Sequence, residues 1–175
     1  MQRGTKGGGA VTREEFAART EEIRIKLFRT AMIYLGNEHD ALEAVDETVY
    51  KGLCALKKLR QPEYFDTWMT RILINECYKM MRRHKREEPM ETMPEISQEV
   101  FDRLPLKDAI GMLPEELKDI VVLRFFGGFT MAETARILGV PQGTAATRQR
   151  KALGLLRLAL DEEGCEKEVK HGLQR

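Results

Sequence analysis

The sequence predicts an all-α protein: two small helical domains joined by an acidic flexible linker, the second containing a helix-turn-helix. Three observations predict it. Apolar residues recur at steps of three and four through most of the chain, and short runs such as Ile72-Leu73-Ile74 fall inside those helical patterns rather than forming strands. Charge is segregated, with two basic islands on either side of an acidic stretch. Finally, Gly139-Val140-Pro141 stops a helical pattern that restarts at once, and two helices joined that tightly must meet at a steep angle.

The elements follow in order. Residues 1–11 read as a flexible leader; Arg3 and Lys6 are followed by no apolar run, so this is no signal peptide. Thr12 and Glu15 fit a capping box, and Phe16, Thr20, Ile23, Leu27, Ala31 and Tyr34 then mark one face of a helix that should stop near Gly36-Asn37. A second helix carries Leu42, Val45, Val49, Leu53, Leu56 and Leu59 as its inner face. Asp40, Glu43 and Glu47 share its outer side and make an acidic stripe. Pro62 breaks the pattern, and a third helix runs from about Tyr64 to Arg86, completing a domain over residues 12–86.

Residues 87–103 hold two prolines and weak periodicity and read as a linker, able to span at most about 60 Å. The second domain covers residues 104–160. A helix over about 106–112 precedes Pro114, where a first-turn proline is tolerated, and Glu115 and Glu116 suit the positive start of the next helix. That helix ends at Gly127-Gly128. Thr130 and Glu133 form another capping box, Gly139 can take the left-handed conformation that closes the short helix, and Pro141 is preset for the first turn of the last one. Residues 161–175 read as a polar tail.

Composition excludes several classes. The 175 residues are 42% hydrophobic and 33% charged, and nothing approaches the run of about 18 apolar residues that a membrane span needs. Cys54, Cys77 and Cys165 are far apart and odd in number, which argues against a disulfide framework or metal knuckle and for a reducing, cytoplasmic home. His39, His84 and His171 show neither ligand spacing nor a nucleophile–base pair, so no catalytic residue, metal, cofactor or small-molecule substrate is expected.

Net charge is only +1, but its distribution points to nucleic acid. Residues 71–86 carry Arg71, Lys79, Arg82, Arg83, Lys85 and Arg86 against Glu76 alone. Residues 124–157 carry six cations against Glu133, while residues 87–119 carry ten acids against three bases. Tyr64, Trp68, Arg71, Asn75, Tyr78 and Arg82 form one stripe of the third helix, with Lys79 and Arg83 beside its end; aromatic faces stack unpaired bases and cations hold the backbone. Trp68 taken alone reads as a core residue; Arg71 and Asn75 read as DNA-facing. In the last helix Thr144, Thr147, Arg148 and Lys151 share one side, where the first residues would reach base edges and the cations phosphates. An ordinary corner in a small bundle would leave a similar pattern.

Taken together, the chain resembles a bacterial sigma-70 family factor of the small extracytoplasmic-function group. "HDALEAVDETVYKGL" (39–53) resembles the family's helix that binds the clamp of core RNA polymerase. "YFDTWMTRILINECYKMMRR" (64–83) resembles its minus-10 recognition and melting segment, and the stretch from Leu113 to Leu153 its minus-35 reading domain. The resemblance implies a factor that binds core polymerase through Asp40, Glu43 and Glu47. It places minus-10 DNA on Tyr64, Trp68, Arg71, Asn75, Lys79, Arg82 and Arg83. It places minus-35 DNA on Thr130, Gly143, Thr144, Thr147, Arg148, Arg150 and Lys151. It also suggests core polymerase, promoter DNA and an anti-sigma protein as partners. Where the family often has Val-Lys this chain has Ala145-Ala146, which removes a cation; it has Asp46 for Gln, and Gln149 for Leu, a polar residue at an inner position that costs stability unless its amide finds partners.

A stand-alone helix-turn-helix regulator is the alternative. It accounts for residues 104–158 but leaves the acidic stripe and the Trp68 stripe without a purpose, and it predicts a dimer on a palindromic site.

Overall fold

A computed structural model describes residues 11–87 and 104–172, with side chains described for residues 11–86, 106 and 108–161. The expected leader up to residue 10, the acidic linker and the last three residues lie outside the described residues. Seven helices are described: α1 (Arg13–Leu35), α2 (Glu38–Cys54), α3 (Phe65–Glu87), α4 (Leu104–Met112), α5 (Glu115–Val121), α6 (Met131–Leu138) and α7 (Gln142–Gly172). They fall into two compact units, α1–α3 and α4–α7.

The first unit is a three-helix bundle. Thr12 caps α1 through a reciprocal pair with Glu15, its hydroxyl accepting from the Glu15 N–H at 3.1 Å while the Glu15 carboxylate accepts from the Thr12 N–H at 2.9 Å. Gly36 closes the helix at φ 78°, a conformation glycine adopts without a Cβ penalty. The core comes from Phe16, Ile23, Leu27 and Ala31 of α1 and Phe65, Met69, Leu73 and Cys77 of α3. Phe16 meets Phe65 edge-on at 5.5 Å, and the Arg19 guanidinium lies 4.5 Å over the Phe65 ring.

The inner face of α2 differs from the expected leucine ladder. Ala41, Ala44, Val45, Thr48 and Gly52 are buried, while Leu42 and Leu53 remain 42% and 41% exposed. The helix also stops at Cys54, so Leu56 lies in a following 3-10 turn. Side chains from the neighbouring helices fill the space here: a Cβ on Gly52 would stand 2.6 Å from Met69 Sδ and 3.3 Å from the Phe16 ring. Several buried hydroxyls of this unit bond to the backbone one turn back, Thr48 donating to the Ala44 carbonyl at 2.7 Å and Thr70 to the Asp66 carbonyl at 2.8 Å, whereas the Thr20 hydroxyl is buried without a hydrogen-bond partner.

In the second unit, Pro114 stands just before α5, its carbonyl accepting from the N–H groups of Leu117 and Lys118. The helix then widens into π-helical turns over Val122–Phe126, and Phe129 folds back so that its N–H reaches the Leu123 carbonyl at 3.0 Å. Thr130 caps α6 through a second reciprocal pair with Glu133. Gly139 takes the left-handed conformation at φ 67° and ψ 32°, and the Val140 N–H reaches back to the Ala135 carbonyl at 3.0 Å. Pro141, expected inside the first turn of α7, instead precedes it and accepts from the Ala145 N–H at 3.0 Å. Ile120, Ala135 and Ala145 form the small core of this corner, covered by Met131, Leu138 and Val140. The backbone of α7 runs on through the stretch read as a polar tail, to Gly172.

Candidate nucleic-acid interfaces and acidic face

The start of α2 is organised by Asn37. Its side-chain oxygen accepts from the Asp40 N–H at 2.8 Å, and its amide donates to the Asp40 carboxylate at 2.7 Å. His84 Nδ1 lies 3.5 Å from the same carboxylate. Asp40 is thus turned inward, its side chain 12% exposed, whereas Glu43 and Asp46 lie on the surface and Glu47 is half-buried. His39, Leu42, Glu43, Asp46, Glu47 and Tyr50 line a shallow open groove, so the acidic stripe has an apolar component. Tyr50 is 64% exposed. The spacing of Leu42 and Leu53 carried part of this signal, but it read as an inner face, and Tyr50 was given no role. His39, Asp40 and Glu43 bring ligand-type atoms within 4.8 Å of one another, yet Asp40 is already held by Asn37 and His84, and the group belongs to the acidic face.

The next helix of the bundle, α3, turns Arg71, Asn75, Lys79, Arg82 and Arg83 to the surface and keeps Trp68 half-buried, while Tyr64, also half-buried, ends the 3-10 turn just before it. Trp68 leans on Phe65 at 6.2 Å, and Tyr78 meets Tyr34 edge-on at 5.5 Å, so these aromatics anchor the stripe while its polar members face out. Arg71, Asn75 and Arg82 make no side-chain hydrogen bond or ion pair with the described residues. Arg83 reaches Glu43 at 3.5 Å, and Lys79 reaches Glu76 at 3.8 Å. Glu76 is, like Asp40, a buried acid between α2 and α3: it pairs with Lys51 at 2.5 Å, and Lys51 also reaches Glu47 at 3.2 Å. Desolvation is the largest influence on Lys51 and pulls its pKa down, but hydrogen bonds and attraction from Glu76 and Glu47 together raise it above its usual value.

On α7, Gly143, Thr144, Thr147, Arg150 and Lys151 are exposed. Thr147 donates to the Gly143 carbonyl at 3.0 Å, and Arg150 donates to the Thr147 hydroxyl at 3.4 Å. Arg148 behaves differently: its guanidinium leans back to Glu116 of α5 at 2.6 Å and is 27% exposed. Thr130 is exposed, but its hydroxyl and N–H are engaged by Glu133. Gln149 finds the partner its position demands, its side-chain oxygen accepting from Arg124 Nε at 3.4 Å. Arg124 also donates to the Phe129 carbonyl. Glu116 and Arg124 carried no functional assignment from the sequence, although they stand eight residues apart on one helical side. Ala145 is fully buried, so its side chain belongs to the core of the corner; the neighbouring Ala146 is half-buried.

Two family models match the chain: sigma-70 region 2 over residues 21–87 and sigma-70 region 4 over residues 109–158. The RNA polymerase sigma factor SigV of Bacillus subtilis is 31% identical over 141 residues, which is 78% of this chain and 85% of that protein. The ECF RNA polymerase sigma factor SigE of Mycolicibacterium smegmatis is 30% identical over 159 residues, covering 81% of this chain and 60% of that protein. Among solved structures, the sigma factor RpoE in complex with the anti-sigma factor NepR from Bartonella quintana has the same fold. Its TM-score is 0.65 at 23% identity, covering 82% of this chain and 97% of that one.

Proposed function

The chain belongs to the sigma-70 family of RNA polymerase sigma factors, in its extracytoplasmic-function group, and we propose a division of labour among its three polar faces. The α2 face, with Glu43 and Glu47 on the outside and Asp40 supporting it from within, binds core polymerase. Leu42 and Tyr50 add apolar area that charge alone would not supply.

The α3 face recognises and melts the minus-10 element. Arg71, Asn75, Lys79, Arg82 and Arg83 hold the backbone and base edges, and Tyr64 and Trp68 receive an unstacked base. Gly143, Thr144, Thr147, Arg148, Arg150 and Lys151 of α7, with Thr130, bind the minus-35 element. The factor works in the cytoplasm, supplies no chemistry of its own, and is restrained by an anti-sigma protein.

One observation carries this reading. A single three-helix unit presents an acidic-apolar face on α2 and a cationic-aromatic face on α3, and two surfaces of such opposite character suit two different partners.

Run-off transcription with core polymerase on a promoter-fragment library tests it. Transcripts starting at one defined site only when the protein is present are expected. Duplex binding without core binding or initiation would replace the reading with that of a stand-alone regulator.

A further inference from the structure

We propose that Glu116 is a specificity-determining residue for minus-35 recognition, a positioning residue that acts through Arg148. The proposal rests on the reading of α7 as the minus-35 helix. Glu116, Ile120 and Arg124 follow one another at steps of four from α5 into the π-helical turns, so they form one stripe. Each member has its own place against α7. Glu116 binds the Arg148 guanidinium at 2.6 Å, Ile120 packs in the cluster with Ala145, and Arg124 reaches Gln149 at 3.4 Å. Two consecutive residues of the DNA-facing helix are thereby tied to α5 and its extension by polar contacts, on top of an apolar contact between fully buried side chains.

The consequence for Arg148 is chemical. An arginine on a flexible stem pairs with any phosphate it meets, which adds affinity without discrimination. Here Glu116 takes part of the guanidinium fork and leaves the remaining donors in a fixed plane, the condition for reading a guanine edge with two parallel hydrogen bonds. A phosphate that took Arg148 over completely would have to displace a carboxylate and then lie beside it. A base edge using the uncommitted donors would not. Glu116 thus selects against backbone-only binding and leaves base contact open. Its own side chain is 54% exposed, so it can be replaced without opening a cavity.

The test uses the full chain bound to core polymerase and two duplex probes. One is the duplex enriched by that complex from a random library; the other is the same duplex with its minus-35 bases scrambled. For Glu116→Gln, the ratio of affinities for the two probes should fall about tenfold, within the range that one bidentate arginine contact provides. The freed Arg148 should take a phosphate, so the plot of log affinity against log salt should steepen by about 0.9. The midpoint of thermal unfolding should stay within about 2 °C, as for an exposed site. Glu116→Asp should recover part of the discrimination.

A Glu116→Gln protein that keeps both the ratio and the salt slope would overturn the proposal. So would a parallel loss on both probes together with a lower unfolding midpoint, which would make the pair merely structural. A wild-type complex that neither initiates transcription nor prefers any duplex would overturn the minus-35 reading itself, and the proposal with it.

Discussion

Helices α3 and α7 are both assigned to DNA, yet they are held in place by different means. α3 is fixed by bulk: Phe65, Met69 and Leu73 are fully buried, and the polar residues proposed to meet DNA point the other way. α7 is fixed at its first turns by a small residue and two polar contacts, Ala145 against Ile120, Arg148 to Glu116 and Gln149 to Arg124. In the first unit, apolar support and recognition occupy opposite sides of one helix, with the exposed Arg83–Glu43 pair at the margin between α3 and α2. In the second they share neighbouring residues, and Arg148 belongs to both. Substitutions on the outer face of α3 should therefore change function without stability, whereas at the inner positions of α7, Ala145 and Gln149, a change in support should also shift the neighbouring residues proposed to meet DNA.

The largest expected effect breaks the bulk support. Phe65 is completely buried and contacts Phe16, Trp68 and Arg19. Phe65→Ala should cost about 3–5 kcal/mol in urea unfolding, because the lost transfer energy adds to that of an unfilled cavity. Arg71→Ala, on the exposed side of the same helix, should change stability by less than about 0.5 kcal/mol while weakening promoter opening in the run-off assay. Comparable stability losses for the two variants would mean that the two sides of α3 are not separable.

A smaller effect sharpens the comparison from within the first unit, where polar contacts also lie between the helices. Glu76 is nearly buried and neutralised mainly by Lys51. Glu76→Gln should cost about 1–3 kcal/mol, toward the lower end because Lys51 is 35% exposed and can turn to water. The pairing also predicts a pH dependence. Because the Lys51 pKa is raised in the folded state, its stabilising contribution is complete below the usual lysine value and is lost as pH rises through the higher folded value. Thermal unfolding of wild type should fall more steeply above about pH 10.5 than that of Lys51→Met. Parallel curves would show that the pair adds nothing to folding.

The contrast between the two units also explains what could be read in the sequence. Local devices were legible: the capping boxes at Thr12 and Thr130 and the left-handed Gly36 and Gly139 depend on residues within a few positions of one another. The helix-turn-helix followed from them. The inner face of α2 was misread, because periodicity shows which residues share a side but not which side a neighbour covers. Ala41, Ala44, Thr48 and Gly52 are as periodic as the leucines, and the close approach of Met69 decides between them. Asp40 turned inward for a local reason, its bond with Asn37, which the outer-stripe pattern overrode. Contacts between helices, such as Lys51 with Glu76 or Glu116 with Arg148, leave no spacing signal at all, and the second of these ties α7 to α5.

The smallest effect concerns Gln149, where resemblance to the family would place leucine and predict a penalty for an amide. Arg124 supplies the missing partner, and it holds the Phe129 carbonyl as well. Gln149→Leu should therefore change stability by no more than about 1 kcal/mol, since the lost contact is long and the gained apolar burial opposes it. The informative measurement is a double-mutant cycle with Arg124→Met. If the pair fixes α7, Arg124→Met should cost more when Gln149 is present, because it then leaves an amide without its partner. The coupling should be about 0.5–1 kcal/mol. Strict additivity would leave Ala145 against Ile120, with the Glu116–Arg148 pair, as the support of its first turns. Arg148 would then be where support and recognition still meet on α7, while Gln149 would belong to neither.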